Sequence, residues 1–186
     1  NNKILVIYTG GTIGMVDDEN KVLYARKGAL QDALNKMPLI KHKDIPTFDL
    51  YEFEVLKDSS NFNVNDWVHL VTVIYDNYYK YQGFVILHGT DTMAYTASAL
   101  SFMFKNLTKP IILTGSVLPL NRPISDGQRN LFLSLMLAAH PSIAFGEVMI
   151  FMDVLLLRGN RCKKIKTNDT NAFYSPNFPP LAKVGV

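Results

Sequence analysis

The chain has 186 residues, of which 48% are hydrophobic and 19% charged, with a formal net charge of +3. That is enough for one sizeable domain of ordinary globular composition, and it excludes a membrane role, because no apolar run is long enough to span a bilayer. The one cysteine, Cys162, excludes a disulfide framework and a cysteine-built metal site, and fits a cytoplasmic setting.

In chain order, KILVIYT at 3–9 is a β-branched run closed by glycines and reads as a buried strand. ALQDALNKM at 29–37 is a short helix stopped by Pro38. FDLYEFEVL at 48–56 alternates imperfectly, as a strand nearer a sheet edge does. NDWVHLVTVIYDNYYKY at 65–81 places Trp67, Leu70, Val71, Ile74 and Tyr78 on one helical stripe. FVILH at 84–88, PIILT at 110–114 and VMIFMDV at 148–154 are nearly all apolar, the pattern of strands covered on both faces. Helices are expected between them at 92–104 and 126–140, the second with Asp126 as N-cap. This alternation predicts right-handed βαβ units in an α/β fold: a doubly wound, mostly parallel sheet with helices on both faces.

Such sheets bind ligands where the carboxyl ends of the strands meet the next loops. Those loops carry Thr12, Asp58, Ser59 and Ser60, then Thr90 with Asp91, then Ser116, and finally Lys163 and Lys164. Each residue has a plain alternative. Thr12 alone reads equally as a cap, Asp91 and Thr92 as an N-cap, Ser59 and Ser60 as turn formers, and Lys164 as surface charge. Their convergence on one edge favours a site. None of the four histidines has metal-ligand spacing, and His88 alone lies at a strand end. The basic run RGNRCKKIK at 158–166 reads as a solvated loop before it reads as a phosphate patch.

Phosphate loops fail on spacing. Counting back from Gly14 and Gly11, a dinucleotide fingerprint would need glycine where Thr9 stands, and no Gly-Lys pair exists for a Walker loop. The glycines around Thr12 instead clear the space that a small substrate and backbone N–H groups need.

Read together, TGGTIG at 9–14, DSSN at 58–61, ILHGTDTM at 86–93, TGS at 114–116 and RGNRCKK at 158–164 resemble the L-asparaginase family, nearest its cytoplasmic type I members. YTASALSFM at 95–103, SDGQRNL at 125–131 and SPNFPPL at 175–181 extend the likeness in order. The resemblance implies hydrolysis of the side-chain amide of L-asparagine, with L-glutamine as the alternative substrate, through a threonine acyl-enzyme and without cofactor or metal. Carried over residue by residue, it makes Thr12 the nucleophile and Tyr24 the activating tyrosine, on a hairpin lid MVDDENKVLY. Thr90, Asp91 and Lys164 form the second cluster, with Lys163 as the neighbouring candidate. Ser59 and Asp91 clamp the substrate's α-groups, Ser60 senses its side chain, and Asp58, Gly11, Gly89 and Ser116 complete the binding surface.

The resemblance further implies an N-terminal domain over 1–180, a linker starting at 181–186 towards a smaller second domain absent here, and a homodimer or homotetramer. Two other readings remain open. One is a glutaminase or tRNA-linked amidotransferase relative, although the weak basicity argues against nucleic acid. The other is a domain that binds asparagine or aspartate without turnover.

Overall fold

Alternate residues of the apolar runs face two different helix layers. In the computed structural model, which describes residues 3–143, 146–167 and 169–185, strand β1 (Ile4–Tyr8) sends Leu5 and Ile7 to one side and Ile4, Val6 and Tyr8 to the other. The strand period of two requires this separation, and burial on both sides explains why the run carries no polar residue.

The remaining strands are β2 (Met15–Asp17), β3 (Leu23–Ala25), β4 (Phe48–Glu52), β5 (Gly83–Leu87), β6 (Ile111–Thr114), β7 (Val148–Met152), β8 (Leu155–Arg158), β9 (Lys163–Lys164), β10 (Phe173–Tyr174) and β11 (Ala182–Lys183). The helices are α1 (Ala29–Asn35), α2 (Val64–Asn77), α3 (Met93–Met103) and α4 (Asp126–Ala139). Seven strands form the main sheet in the order β11-β8-β7-β6-β5-β1-β4. The run β4-β1-β5-β6-β7 is parallel, so the fold is the expected mostly parallel α/β architecture.

Leu70, Ile74, Ala97 and Leu100 from α2 and α3 pack on the face that includes Ile7 and Ile86. Leu30 and Leu34 of α1 and Leu131 and Leu135 of α4 cover the opposite face against Val6 and Val85. From β1 the chain leaves to β4 on one side, then crosses back to β5 on the other. That reversal places a topological switch point beside the carboxyl end of β1, where open α/β sheets bind ligands.

Three details depart from expectation. Helix α2 ends at Asn77, short of 81, because the Lys109 ammonium donates to the carbonyls of both Tyr78 and Tyr81 and closes the helix end. Helix α4 is capped by Ser125, whose hydroxyl accepts from the Gly127 amide at 3.0 Å. Asp126 is instead the first helical residue, and its carboxylate accepts from the amides of Val117 and Leu118 at 2.9 and 3.0 Å. The segment read as one strand to 154 breaks at Asp153 (φ 59°) and returns as antiparallel β8. Aspartate tolerates this left-handed conformation, so the turn lacks the glycine that would have marked it. At the sheet edge Ala182 and Lys183 pair antiparallel with β8.

Candidate active site

The loop after β1 is held by its glycines. Gly10 and Gly11 have φ of 126° and 87°, where a side chain is strained. A β-carbon on Gly10 would lie 2.1 Å from the Lys57 carbonyl oxygen, and one on Gly11 would lie 2.6 Å from the Gly89 nitrogen. The loops after β1, β4 and β5 therefore touch through backbone. Below them the buried Tyr8 hydroxyl donates to the Gly11 carbonyl at 3.2 Å. Burial, aided by the nearby Glu52 charge, pushes that phenol above its usual range, so it stays a neutral donor.

Thr12 opens a single 3-10 turn, Thr12–Gly14, whose N-cap position belongs to Gly11 and receives no side-chain bond. Its hydroxyl is thus not spent on capping. Tyr24 lies on β3, opposite Val16 in the antiparallel β2–β3 hairpin that follows the Thr12 turn, and is largely exposed. The hairpin is tied to the loop after β6 by an Arg122–Asp17 ion pair of 2.8 Å.

In the loop after β4, Asp58 caps a 3-10 turn over Ser59–Asn61, accepting from the Ser60 amide at 2.8 Å and the Ser60 hydroxyl at 2.7 Å. These two bonds hold the Asp58 carboxyl below its usual range. Ser59 is buried against Gly89: a β-carbon there would lie 2.7 Å from Ser59 Oγ. The Thr92 hydroxyl donates to the Ser59 carbonyl at 2.7 Å instead of capping α3.

Lys164 on β9 reaches across to the loop after β5. Its ammonium donates to Thr90 Oγ1 at 2.8 Å and to Asp91 Oδ1 at 2.6 Å, with the lysine side chain only 13% exposed. This separates Lys164 from Lys163, which is exposed on the same short strand. Ser116 is buried at the end of β6, and its hydroxyl donates to the Leu118 carbonyl at 2.5 Å. Gly115 rests on the His88 carbonyl, so this loop joins the others through backbone while the Ser116 hydroxyl turns into its own turn.

Three cations of the basic run are paired: Arg158 with Glu147 at 2.7 Å, Lys164 with Asp91, and Lys166 with Asp169 at 2.7 Å. Cys162 is not a second nucleophile, since burial pushes its thiol up to about 12. No group of metal-ligating side chains occurs among the described residues.

The Thr12 turn is thus joined through glycine backbone to the cluster of Thr90, Lys164 and Asp91. The family model "Asparaginase, N-terminal" matches residues 3–186.

The chain belongs to the asparaginase family.

It is 49% identical over 183 residues to L-asparaginase 1 of Escherichia coli, covering 98% of this chain and 53% of the relative. It is 38% identical to the 60 kDa lysophospholipase of Mus musculus, covering 98% of this chain and 36% of that one. The crystal structure of L-asparaginase I from Vibrio cholerae superposes with a TM-score of 0.91 at 46% identity, over 99% of this chain and 54% of that one. The asparaginase-family chain thus spans about half the length, or less, of the curated relatives it matches.

Sequence reasoning passed over several residues that hold this asparaginase-type edge together. His88, Thr96 and Trp67 form one buried hydrogen-bonded line behind Gly89. Lys57 pairs with Asp66 at 2.6 Å, and Asp66 also accepts from the Asn63 amide to complete the capping box of α2. The spacing Asn63 to Asp66 was a readable capping signal. No sequence motif marks the other contacts, which form once α2, α3 and the loops after β4 and β5 pack together.

Proposed function

We propose that a protein carrying this domain hydrolyses the side-chain amide of L-asparagine to L-aspartate and ammonia through an acyl-enzyme on Thr12. The observation that carries the reading is the contact of Gly11 with Gly89, which brings the Thr12 turn against the loop whose Thr90 and Asp91 hold Lys164.

In this reading the Thr12 oxygen attacks the amide carbon and the C=O electrons move onto oxygen. Backbone N–H groups at Gly11 and in the Gly89–Asp91 turn face that charge, a term worth roughly 3 kcal/mol per donor. The tetrahedral intermediate collapses by breaking the C–N bond, and the Thr12 proton leaves with the nitrogen as ammonia. Water then adds to the Thr12 ester; its proton returns to the threonine oxygen as aspartate departs. The Lys164 ammonium lowers the cost of negative charge on Thr90 Oγ1 or on a water beside it. Tyr24 serves the nucleophile from the hairpin, which excludes water during acylation.

Ser59 and Asp91 hold the substrate's α-carboxylate and α-ammonium respectively. In the same reading Asp58, Ser60 and Ser116 complete the binding surface. Glutamine, one methylene longer, is disfavoured by about 1 to 3 kcal/mol. The working assembly is a cytoplasmic homo-oligomer in which residues 1–180 supply most of each site.

The test is ammonia release from L-asparagine and L-glutamine by this chain and by Thr12→Ala. Release that depends on Thr12 supports the mechanism. Full activity in Thr12→Ala refutes the nucleophile, and calorimetric binding of aspartate with no release supports the binding-domain reading instead.

A further inference from the structure

His88 is fully buried at the carboxyl end of β5, with its ring centroid 4.5 Å from that of Phe62. Its Nδ1 lies 2.7 Å from the Gly89 carbonyl oxygen, and its Nε2 lies 2.9 Å from Thr96 Oγ1. Thr96 Oγ1 in turn lies 3.0 Å from Trp67 Nε1. The chemistry of the two ends sets every proton between them. A carbonyl only accepts, so Nδ1 carries the hydrogen; an indole N–H only donates, so Thr96 accepts from Trp67 and sends its own proton to Nε2. The line runs one way, from α2 through α3 to the loop after β5.

Its last bond fixes a peptide plane. The Gly89 carbonyl belongs to the same trans peptide as the Thr90 N–H, and the two point in opposite directions. Holding the carbonyl against the buried imidazole turns the Thr90 N–H the other way, out of the core. Gly89 is meanwhile pressed between Gly11 and Ser59, so little else can absorb a rotation of this peptide.

We infer that His88 is a positioning residue, held in its Nδ1–H tautomer by Thr96 and Trp67, which aims the Thr90 N–H and sets Thr90 and Asp91 against the Thr12 turn. The kinetic part of the inference rests on the amide-hydrolysis reading; the tautomer and the peptide orientation do not.

The test uses this chain, with His88→Leu, His88→Asn and Thr96→Val as variants. Long-range 1H–15N spectra of the wild type should show the neutral Nδ1–H form of His88, the less common tautomer of free histidine. The Thr90 amide cross-peak should move in His88→Leu and return towards its place in His88→Asn, whose side-chain N–H reaches the same carbonyl. On L-asparagine, kcat should fall about 100-fold in His88→Leu, as misplaced groups do, with KM changed less and Asn restoring most of the loss. Thr96→Val should lower kcat about tenfold and add little to His88→Leu, because the two act in series.

An Nε2–H tautomer, or an unmoved Thr90 amide in His88→Leu, overturns the inference whatever the activity. A His88→Leu protein with wild-type kcat and only a lower melting temperature also overturns it, leaving His88 a packing residue. Absence of ammonia release from the wild-type chain bears on the amidase reading alone, and the spectra then decide the positioning role.

Discussion

Gly11 and Gly89 meet backbone to backbone, so that a β-carbon on Gly11 would lie 2.6 Å from the Gly89 nitrogen and 2.7 Å from its α-carbon. This contact joins the turn bearing Thr12 to the loop bearing Thr90 and Asp91. Gly11→Ala combines a backbone clash with a φ of 87°. It should destabilise the chain by roughly 2 to 5 kcal/mol and abolish turnover in whatever folds. Gly28→Ala is the control: φ is 81° there, but nothing lies within 4 Å of the added carbon. Its cost should stay near 1 to 2 kcal/mol, from strain alone. Urea denaturation of the two variants checks the ordering, and equal losses would show that the Gly11–Gly89 approach is not tight.

Lys164→Met removes the cation shared by Thr90 and Asp91. The Asp91 side chain is 62% exposed, so water can replace its partner, and stability should change by less than about 1 kcal/mol. Ammonia release should fall by about 10³-fold, the scale seen when a preorganised charge stabiliser is lost. Lys164→Arg should not restore it, since a planar guanidinium cannot reproduce a compact ammonium bonded to Thr90 Oγ1 and Asp91 Oδ1 at 2.8 and 2.6 Å. Recovery in the arginine variant would reduce the role of Lys164 to charge alone.

Burial pushes the His88 imidazole down to about 4, against opposing pulls from its hydrogen bond to the Gly89 carbonyl and from the Asp66 charge. The unfolded chain binds a proton near pH 6.5, where the folded chain does not. The stability contributed by a neutral His88 is therefore complete above that pH and is lost as pH falls from about 6.5 towards 4. At pH 5 the loss should be roughly 2 kcal/mol. Urea midpoints at pH 7 and pH 5 should draw together in His88→Asn, whereas an unchanged pH dependence would assign the acid sensitivity to other groups.

Ser125→Ala should cost about 1 kcal/mol, the ordinary value of one N-cap bond. Asp126→Ala strands the amides of Val117 and Leu118 at a half-buried turn and should cost more, about 2 to 3 kcal/mol for two unmade charge-assisted bonds. Thermal melts of the two variants measure the difference. The reverse order would return the cap to Asp126.

The strands of the parallel core were legible because β1, β5, β6 and β7 are buried on both faces, which leaves unbroken apolar runs in the sequence. The hairpin ahead of α1 was legible through the family resemblance carried by TGGTIG and its neighbours. What escaped was set by contacts distant in sequence. The strand read over 148–154 ends at Met152, because Asp153 turns the chain without a glycine into the antiparallel Leu155–Arg158. Helix α2 stops where Lys109, more than thirty residues after the helix C-terminus, reaches the carbonyls of Tyr78 and Tyr81 just beyond it. Asp126 has the composition of a cap, but the Val117 and Leu118 amides compete for its carboxylate and win.

By itself the sequence determined the α/β class, the positions of the strand-end loops, the lack of a dinucleotide or Walker motif in them and the family to which the chain belongs. These are local properties, written in periodicity, glycine placement and short motifs. Only the tertiary structure decided that Lys164 and not Lys163 meets Thr90, that Ser116 turns its hydroxyl into its own loop, and that His88 stands behind Gly89 in one tautomer. The first and the last depend on where distant segments come to rest, and the Ser116 bond on a turn that the Asp126 carboxylate holds from the next helix; in each, buried donors must find acceptors.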